Sequence, residues 1–134
     1  MQLNKIQHIG IPVTDLGKSV PFYQRLGFEA AMESPFDYQG ERGTCVMMKQ
    51  GEILIELYQF PARFLPEIRN RKDGPVDHIA FDVQDIDLVF SGMKARGFNP
   101  IEESPVFLPF WKNGCRYFYI LGPDGERLEF NQIL

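Results

Sequence analysis

Four side chains of this 134-residue sequence are of the types that hold a divalent metal, and they recur at matching places. His8 stands near the start of Ile6-Gln7-His8-Ile9-Gly10-Ile11-Pro12-Val13, and His78 near the start of Val76-Asp77-His78-Ile79-Ala80-Phe81-Asp82-Val83, 70 residues on (78 − 8). Glu56 lies within Ile53-Leu54-Ile55-Glu56-Leu57 and Glu129 within Arg127-Leu128-Glu129-Phe130, 73 residues apart (129 − 56). An ionised group on an enclosed sheet face needs a partner, because burying an unpaired charge costs roughly several kcal/mol. One divalent cation would satisfy all four. Two imidazole nitrogens and two carboxylate oxygens suit Zn, Ni, Co, Mn or Fe(II), and six-coordinate geometry leaves two positions for water or substrate. That is a catalytic rather than a closed structural arrangement. Taken singly, a strand histidine is more often a satisfied structural residue than a ligand, and Glu56 alone could belong to the exposed face of an edge strand. The recurrence of both residue types favours a shared metal site.

The elements that must position these residues are themselves duplicated. Val13 and Asp15 are echoed by Val83 and Asp85, and Gly27-Phe28 by Gly97-Phe98, so a fixed internal period governs the chain. Alternation over 5–13 puts Gln7, Ile9, Ile11 and Val13 on one face, the candidate core, and Ile6, His8, Gly10 and Pro12 on the other. Asp15 offers a helix N-cap; Leu16, Val20, Tyr23 and Leu26 recur at helical spacing, and Gly27 supplies a stop. Pro21 fits more easily if 15–18 form a preliminary turn and the regular helix starts near Ser19. Strands are expected at 29–33, 44–49 and 53–60, with 34–43 a loop. The connector 61–75 reads as a link with a short helical turn around 63–70. The second module follows the same plan: a strand at 76–83, a helix at 85–96 with Ile86, Val89, Phe90 and Met93 as its apolar stripe, and strands near 99–102, 115–121 and 127–132. A long loop at 104–114 and the turn Gly122-Pro123-Asp124-Gly125 join the last three. The fold class is α+β, with paired βαβββ modules, module one 1–60 and module two 76–134, in one domain over 1–134.

Composition narrows the partners. A formal net charge of −4 and a pI near 5.2, with no basic face evident, argue against nucleic acid or an anionic membrane. The N-terminus lacks the apolar core and small-residue cleavage site of a signal peptide, and no run reaches spanning length, so a cytoplasmic location is expected. Cys45 and Cys115 form no CxxC pair; their separation of 70 (115 − 45) suggests equivalent positions, as reduced, partly buried thiols.

These residues resemble the vicinal oxygen chelate superfamily, which includes glyoxalase I, methylmalonyl-CoA epimerase, extradiol dioxygenases and fosfomycin-resistance proteins. The carriers are His8 in His-Ile-Gly-Ile-Pro-Val-Thr-Asp-Leu, Phe22-Tyr23 followed by Leu26-Gly27-Phe28, His78 in Asp-His-Ile-Ala-Phe-Asp-Val, and Gly-Pro-Asp-Gly-Glu-Arg-Leu-Glu-Phe ending at Phe130. The resemblance covers nearly the whole chain. It implies paired βαβββ modules in a curved mixed sheet around one metal, with His8, Glu56, His78 and Glu129 as ligands from the first and last strands.

Two histidines with two glutamates look more like glyoxalase I than like the dioxygenases, which resemble one another in a two-His, one-carboxylate triad. Ni, Zn, Co or Mn is therefore expected ahead of Fe. The resemblance implies a lyase or isomerase that stabilises an enediolate of a small 2-oxoaldehyde–thiol adduct or related substrate, with Glu56 and Glu129 both candidates for the base. An epimerase of the methylmalonyl-CoA type is the nearest alternative. It is weakened because that group resembles this chain except for a catalytic glutamate near Cys45 and a glutamine at Glu56. A dioxygenase and a non-catalytic binding protein are further alternatives. The loop 107–114, with Phe110, Trp111 and Lys112, could close over a small-molecule substrate, and Lys112 and Arg116 could meet its carboxylate or phosphate. Members of the family commonly pair modules within a chain or across a dimer, and a homodimer is expected.

Overall fold

The computed structural model describes residues 1–2, 4–71 and 76–134. Two compact units divide the chain, Met1–Lys72 and Asp73–Leu134. The first contains β1 (Ile9–Pro12), α1 (Leu16–Arg25), β2 (Glu29–Tyr38), β3 (Glu41–Gln50) and β4 (Ile53–Gln59), then a 3-10 turn (Ala62–Phe64) and α2 (Leu65–Asn70). The second contains β5 (Ile79–Asp82), α3 (Ile86–Ala95), β6 (Val106–Leu108), β7 (Cys115–Leu121) and β8 (Arg127–Ile133). The sheets repeat one topology, β1-β4-β3-β2 and β5-β8-β7-β6, in which the first strand runs parallel to the last and the other pairings are antiparallel. The parallel pairing needs a crossover, and the helix after the first strand begins it. No helix among the described residues is long and apolar enough to cross a membrane.

Each sheet buries one face under its helix. In the first unit Val13, Ile55, Leu57 and Met48 are fully enclosed, and Tyr23 of α1 meets Phe28 and Phe22 edge to face. The helix stripe is rotated from the expected one: Ser19, Phe22, Tyr23 and Leu26 are buried, while Leu16 and Val20 are only half-buried. In the second unit Phe118 stacks on Phe130 at 5.1 Å and meets Phe90 of α3 edge-on at 5.1 Å, with Ile86, Ile120 and Leu128 around them. Burying such side chains is worth about 1.5–3 kcal/mol each, which makes this face the one that sets the strand register.

Both helices start with a device supplied from the last strand of their own sheet. The Leu16 amide donates to Gln59 Oε1 at 2.8 Å, and the Ile86 amide donates to Gln132 Oε1 at 3.0 Å. Asp85 adds a true side-chain cap, accepting from the Leu88 amide at 2.9 Å. With Leu16 held in this way α1 runs straight through Pro21, rather than starting at Ser19. Placed in the second turn, the proline removes only one helical hydrogen bond.

Three other expectations are corrected. Residues 34–43 are no loop: β2 continues to Tyr38 and β3 begins at Glu41, joined by Gln39 and Gly40 at φ 49° and 82°, the positive pair that suits a tight hairpin. Residues 99–102 form no strand; Ile101 donates one backbone bond to the Tyr119 carbonyl, and the Glu102 carboxylate takes the Tyr119 amide at 2.7 Å in place of a ladder bond. The strand beside β7 is β6, inside the expected loop 104–114. Finally, the cysteines are not equivalent. Gly10 pairs with Glu56 and Ala80 with Glu129, so Tyr58 corresponds to Asn131; Cys45 faces Tyr58, whereas the residue facing Asn131 is Tyr117. Cys115 lies two residues before Tyr117 on β7, and both cysteines are free and buried. Of the connector, 72–75 lie outside the described residues.

Candidate functional site

Strand alternation separates the helix-covered face of each sheet from a second face, which carries the expected ligand residues. In the first unit that face holds Glu56 and Tyr58 of β4, with the alternate residues Ile55 and Leu57 turned to the core. His8 enters just ahead of β1, and its Nε2 lies 3.5 Å from Glu56 Oε2. Gly10 is the reason there is room: a Cβ there would stand 3.2 Å from the Tyr58 ring and 3.6 Å from Glu56 Oε2. Cys45 adjoins the same carboxylate, and burial, followed by the Glu56 charge, pushes its thiol pKa up. Burial also raises the Tyr58 hydroxyl, against the pull of Arg71.

The second unit repeats the pair with a tighter setting. His78 Nε2 lies 3.0 Å from Oε2 of Glu129, which is 7% exposed and therefore needs its partners. The Tyr119 hydroxyl donates to Oε2 at 2.6 Å and the Asn131 amide to Oε1 at 2.6 Å. Burial, then the bond to Glu129, drives the Tyr119 pKa upward, so the hydroxyl stays a donor. Asn131 also reaches toward Cys115 Sγ, at 3.9 Å. On the far side of His78, Nδ1 meets Asp77 Oδ2 at 2.9 Å, and Asp77 Oδ1 pairs with Arg127 at 2.8 Å. The bond to His78 leads in holding the Asp77 carboxyl below its ordinary range.

The structure thus brings His8 to Glu56 and His78 to Glu129. Two donors on one cation, each about 2.0–2.2 Å from it, stand roughly 3 Å apart when adjacent, so both separations fit neighbouring ligands of a divalent metal. Each unit holds one such nitrogen–oxygen pair, and no group of three or more metal-binding side chains is gathered among the described residues.

The other expected site residues fall elsewhere. Arg116 lies on the opposite face of β7 from Tyr119, where both its terminal nitrogens bond Asp87 of α3, at 2.6 and 2.8 Å. Phe110 (58%), Trp111 (70%) and Lys112 are exposed between β6 and β7, and Trp111 holds a positive φ of 63°. Tyr119, Asn131, Asp77 and Gln7 were not singled out by sequence reasoning. The available signal was register: Tyr119 faces Glu129 on β7, and Asn131 lies two residues beyond it on the same side of β8.

Two βαβββ units, each with histidine before its first strand and glutamate at the matching position of its last, define a glyoxalase-like α+β protein. The model of the Glyoxalase/Bleomycin resistance protein/Dioxygenase superfamily matches residues 5–130, and the chain belongs to that superfamily. It is 34% identical over 133 residues to the protein YwbC of Bacillus subtilis (strain 168), covering 96% of this chain and 97% of that one. It is 31% identical to YaeR of Escherichia coli (strain K12), over 95% of each. In fold it is similar to a glyoxalase family protein from Enterococcus faecalis, with a TM-score of 0.76, 24% identity and coverage of 98% and 99%.

Proposed function

We propose that the chain is a metal-dependent lyase or isomerase of the glyoxalase I type, acting on a small 2-oxoaldehyde–thiol adduct or a related substrate with two adjacent oxygens. The observation that carries this reading is the pairing of a histidine Nε2 with a glutamate oxygen at the same register position of both units, at 3.5 Å and 3.0 Å. In this reading His8, Glu56, His78 and Glu129 would together hold one Ni, Zn, Co or Mn ion. A divalent ion held there would supply Lewis-acid polarisation of two adjacent substrate oxygens, the chemistry that makes a neighbouring C–H acidic. Glu56 takes that proton and returns it to the adjacent carbon, because its side chain is the more open of the two, 31% against 9% exposed. Glu129 is held by Tyr119 and Asn131 and keeps its place as an orienting carboxylate. Phe110, Trp111 and Lys112 are candidates for contacts to the rest of the substrate; Arg116 is already committed to Asp87. The proposed assembly is a homodimer, which light scattering tests, and the proposed location is the cytoplasm.

The test reconstitutes metal-depleted protein with each ion and assays the methylglyoxal–glutathione adduct beside an acyl-CoA epimerisation. Turnover of the adduct, lost in Glu56→Gln, supports the assignment. Epimerisation alone moves it to the alternative, and activity on neither substrate with any of the ions overturns both.

A further inference from the structure

The residue preceding each histidine is used in the same way in both units. Asp77 brings Oδ2 to 2.9 Å from Nδ1 of His78, and Gln7 brings its side-chain oxygen onto Nδ1 of His8. In both rings the other nitrogen, Nε2, faces the glutamate. Successive residues of a regular strand point to opposite faces. Such a contact between neighbours is possible because both pairs lie just ahead of the first strand of their unit, which begins at Ile9 and at Ile79. In the second unit the contact is also anchored from outside, since Arg127 holds the remaining Asp77 oxygen at 2.8 Å, two residues before Glu129 on β8.

The geometry points to Asp77 as a positioning residue for His78, with Gln7 as its neutral counterpart for His8. Both carboxylates that flank the ring only accept hydrogen bonds, Asp77 at Nδ1 and Glu129 at Nε2. Glu129 already accepts from the Tyr119 hydroxyl and the Asn131 amide, so Asp77 takes the ring proton on Nδ1 and leaves the Nε2 lone pair for a cation. A carboxylate behind an imidazole fixes the ring's tautomer and orientation and strengthens it as a donor. An amide oxygen fixes the ring with less electrostatic help. The two halves of the ligand set are therefore unequal, and His78 is the stronger donor. The affinity consequence rests on the metal reading above; the tautomer does not.

The test uses the full chain and two readouts. Long-range nitrogen–proton correlation of the imidazoles in metal-free protein, at a pH where the rings are neutral, should show His78 with its proton on Nδ1, shifting toward Nε2 in Asp77→Ala. Titration with Co(II) against a competing chelator should show Asp77→Ala weakening binding about 10–100-fold, with Asp77→Asn recovering part of the loss and Gln7→Glu tightening it. Asp77 is exposed and outside every strand, so these variants leave the fold intact. An unchanged His78 tautomer in Asp77→Ala overturns the positioning role. A tautomer that responds as stated, in a protein that takes up no metal, upholds the positioning role and sinks the metal reading instead.

Discussion

The Tyr119 hydroxyl donates a 2.6 Å hydrogen bond to Glu129, whereas the register position facing Glu56 is held by Met47, which has no such donor. The duplicated units are thus chemically different where they carry the same carboxylate. Removing a hydrogen bond to a charged, buried acceptor costs about 1.5–3 kcal/mol. Tyr119→Phe should lose stability of that order in urea unfolding, and an unchanged midpoint would show that the bond contributes nothing net.

Helix starts give a second prediction. Gln59 and Gln132 each accept from the first amide of a helix that lies more than forty residues away in sequence. Replacing either with alanine leaves that amide without its acceptor, at about 0.5–1.5 kcal/mol. Thermal melting of the two single variants should show similar losses, with Gln59→Glu retaining the acceptor and most of the stability.

The Asp87–Arg116 pair predicts a pH dependence. The hydrogen bonds from Arg116, followed by its charge, hold the Asp87 carboxyl below its ordinary value. A carboxylate whose pKa is depressed by folding stabilises the protein above its unfolded-state pKa, and that contribution is lost as pH falls through the folded value. Urea midpoints of wild type and Arg116→Gln should differ at neutral pH and converge in acid. A difference that persists unchanged in acid would assign the effect to packing rather than charge.

Gly10 separates function from fold. Because a Cβ there would already press on Tyr58 at 3.2 Å, the branched side chain of Gly10→Val must displace Tyr58 or Glu56. A β-branched residue is otherwise at home in a strand. Metal uptake and turnover should fall sharply while far-UV circular dichroism stays as in wild type; retained uptake would show that Tyr58 gives way and Glu56 keeps its place.

What could be read from sequence follows from how local each signal is. His8 and His78 sit in repeated strings whose alternation alone puts them opposite the core, and Asp85 caps α3 as its position suggests. The hairpin through Gln39 and Gly40 was hidden because Pro35 and the polar residues around it read as loop, while pairing with β3 from Thr44 to Glu41 holds the strand together. The segment 99–102 has strand-like composition, yet Glu102 spends its carboxylate on the backbone and ends the ladder. Cys45 and Cys115 share an offset without sharing a place, because the units pair their last two strands over loops of different length. Tyr119 and Asn131 could be connected with Glu129 only once the β7–β8 register was known.

The most direct test of the proposed metal centre is metal stoichiometry, measured by elemental analysis after reconstitution and gel filtration, on wild type, His78→Ala and Glu56→Gln. Wild type should hold one divalent ion per ligand set, and both variants should lose it. Full stoichiometry in either variant would contradict the proposed set of ligands.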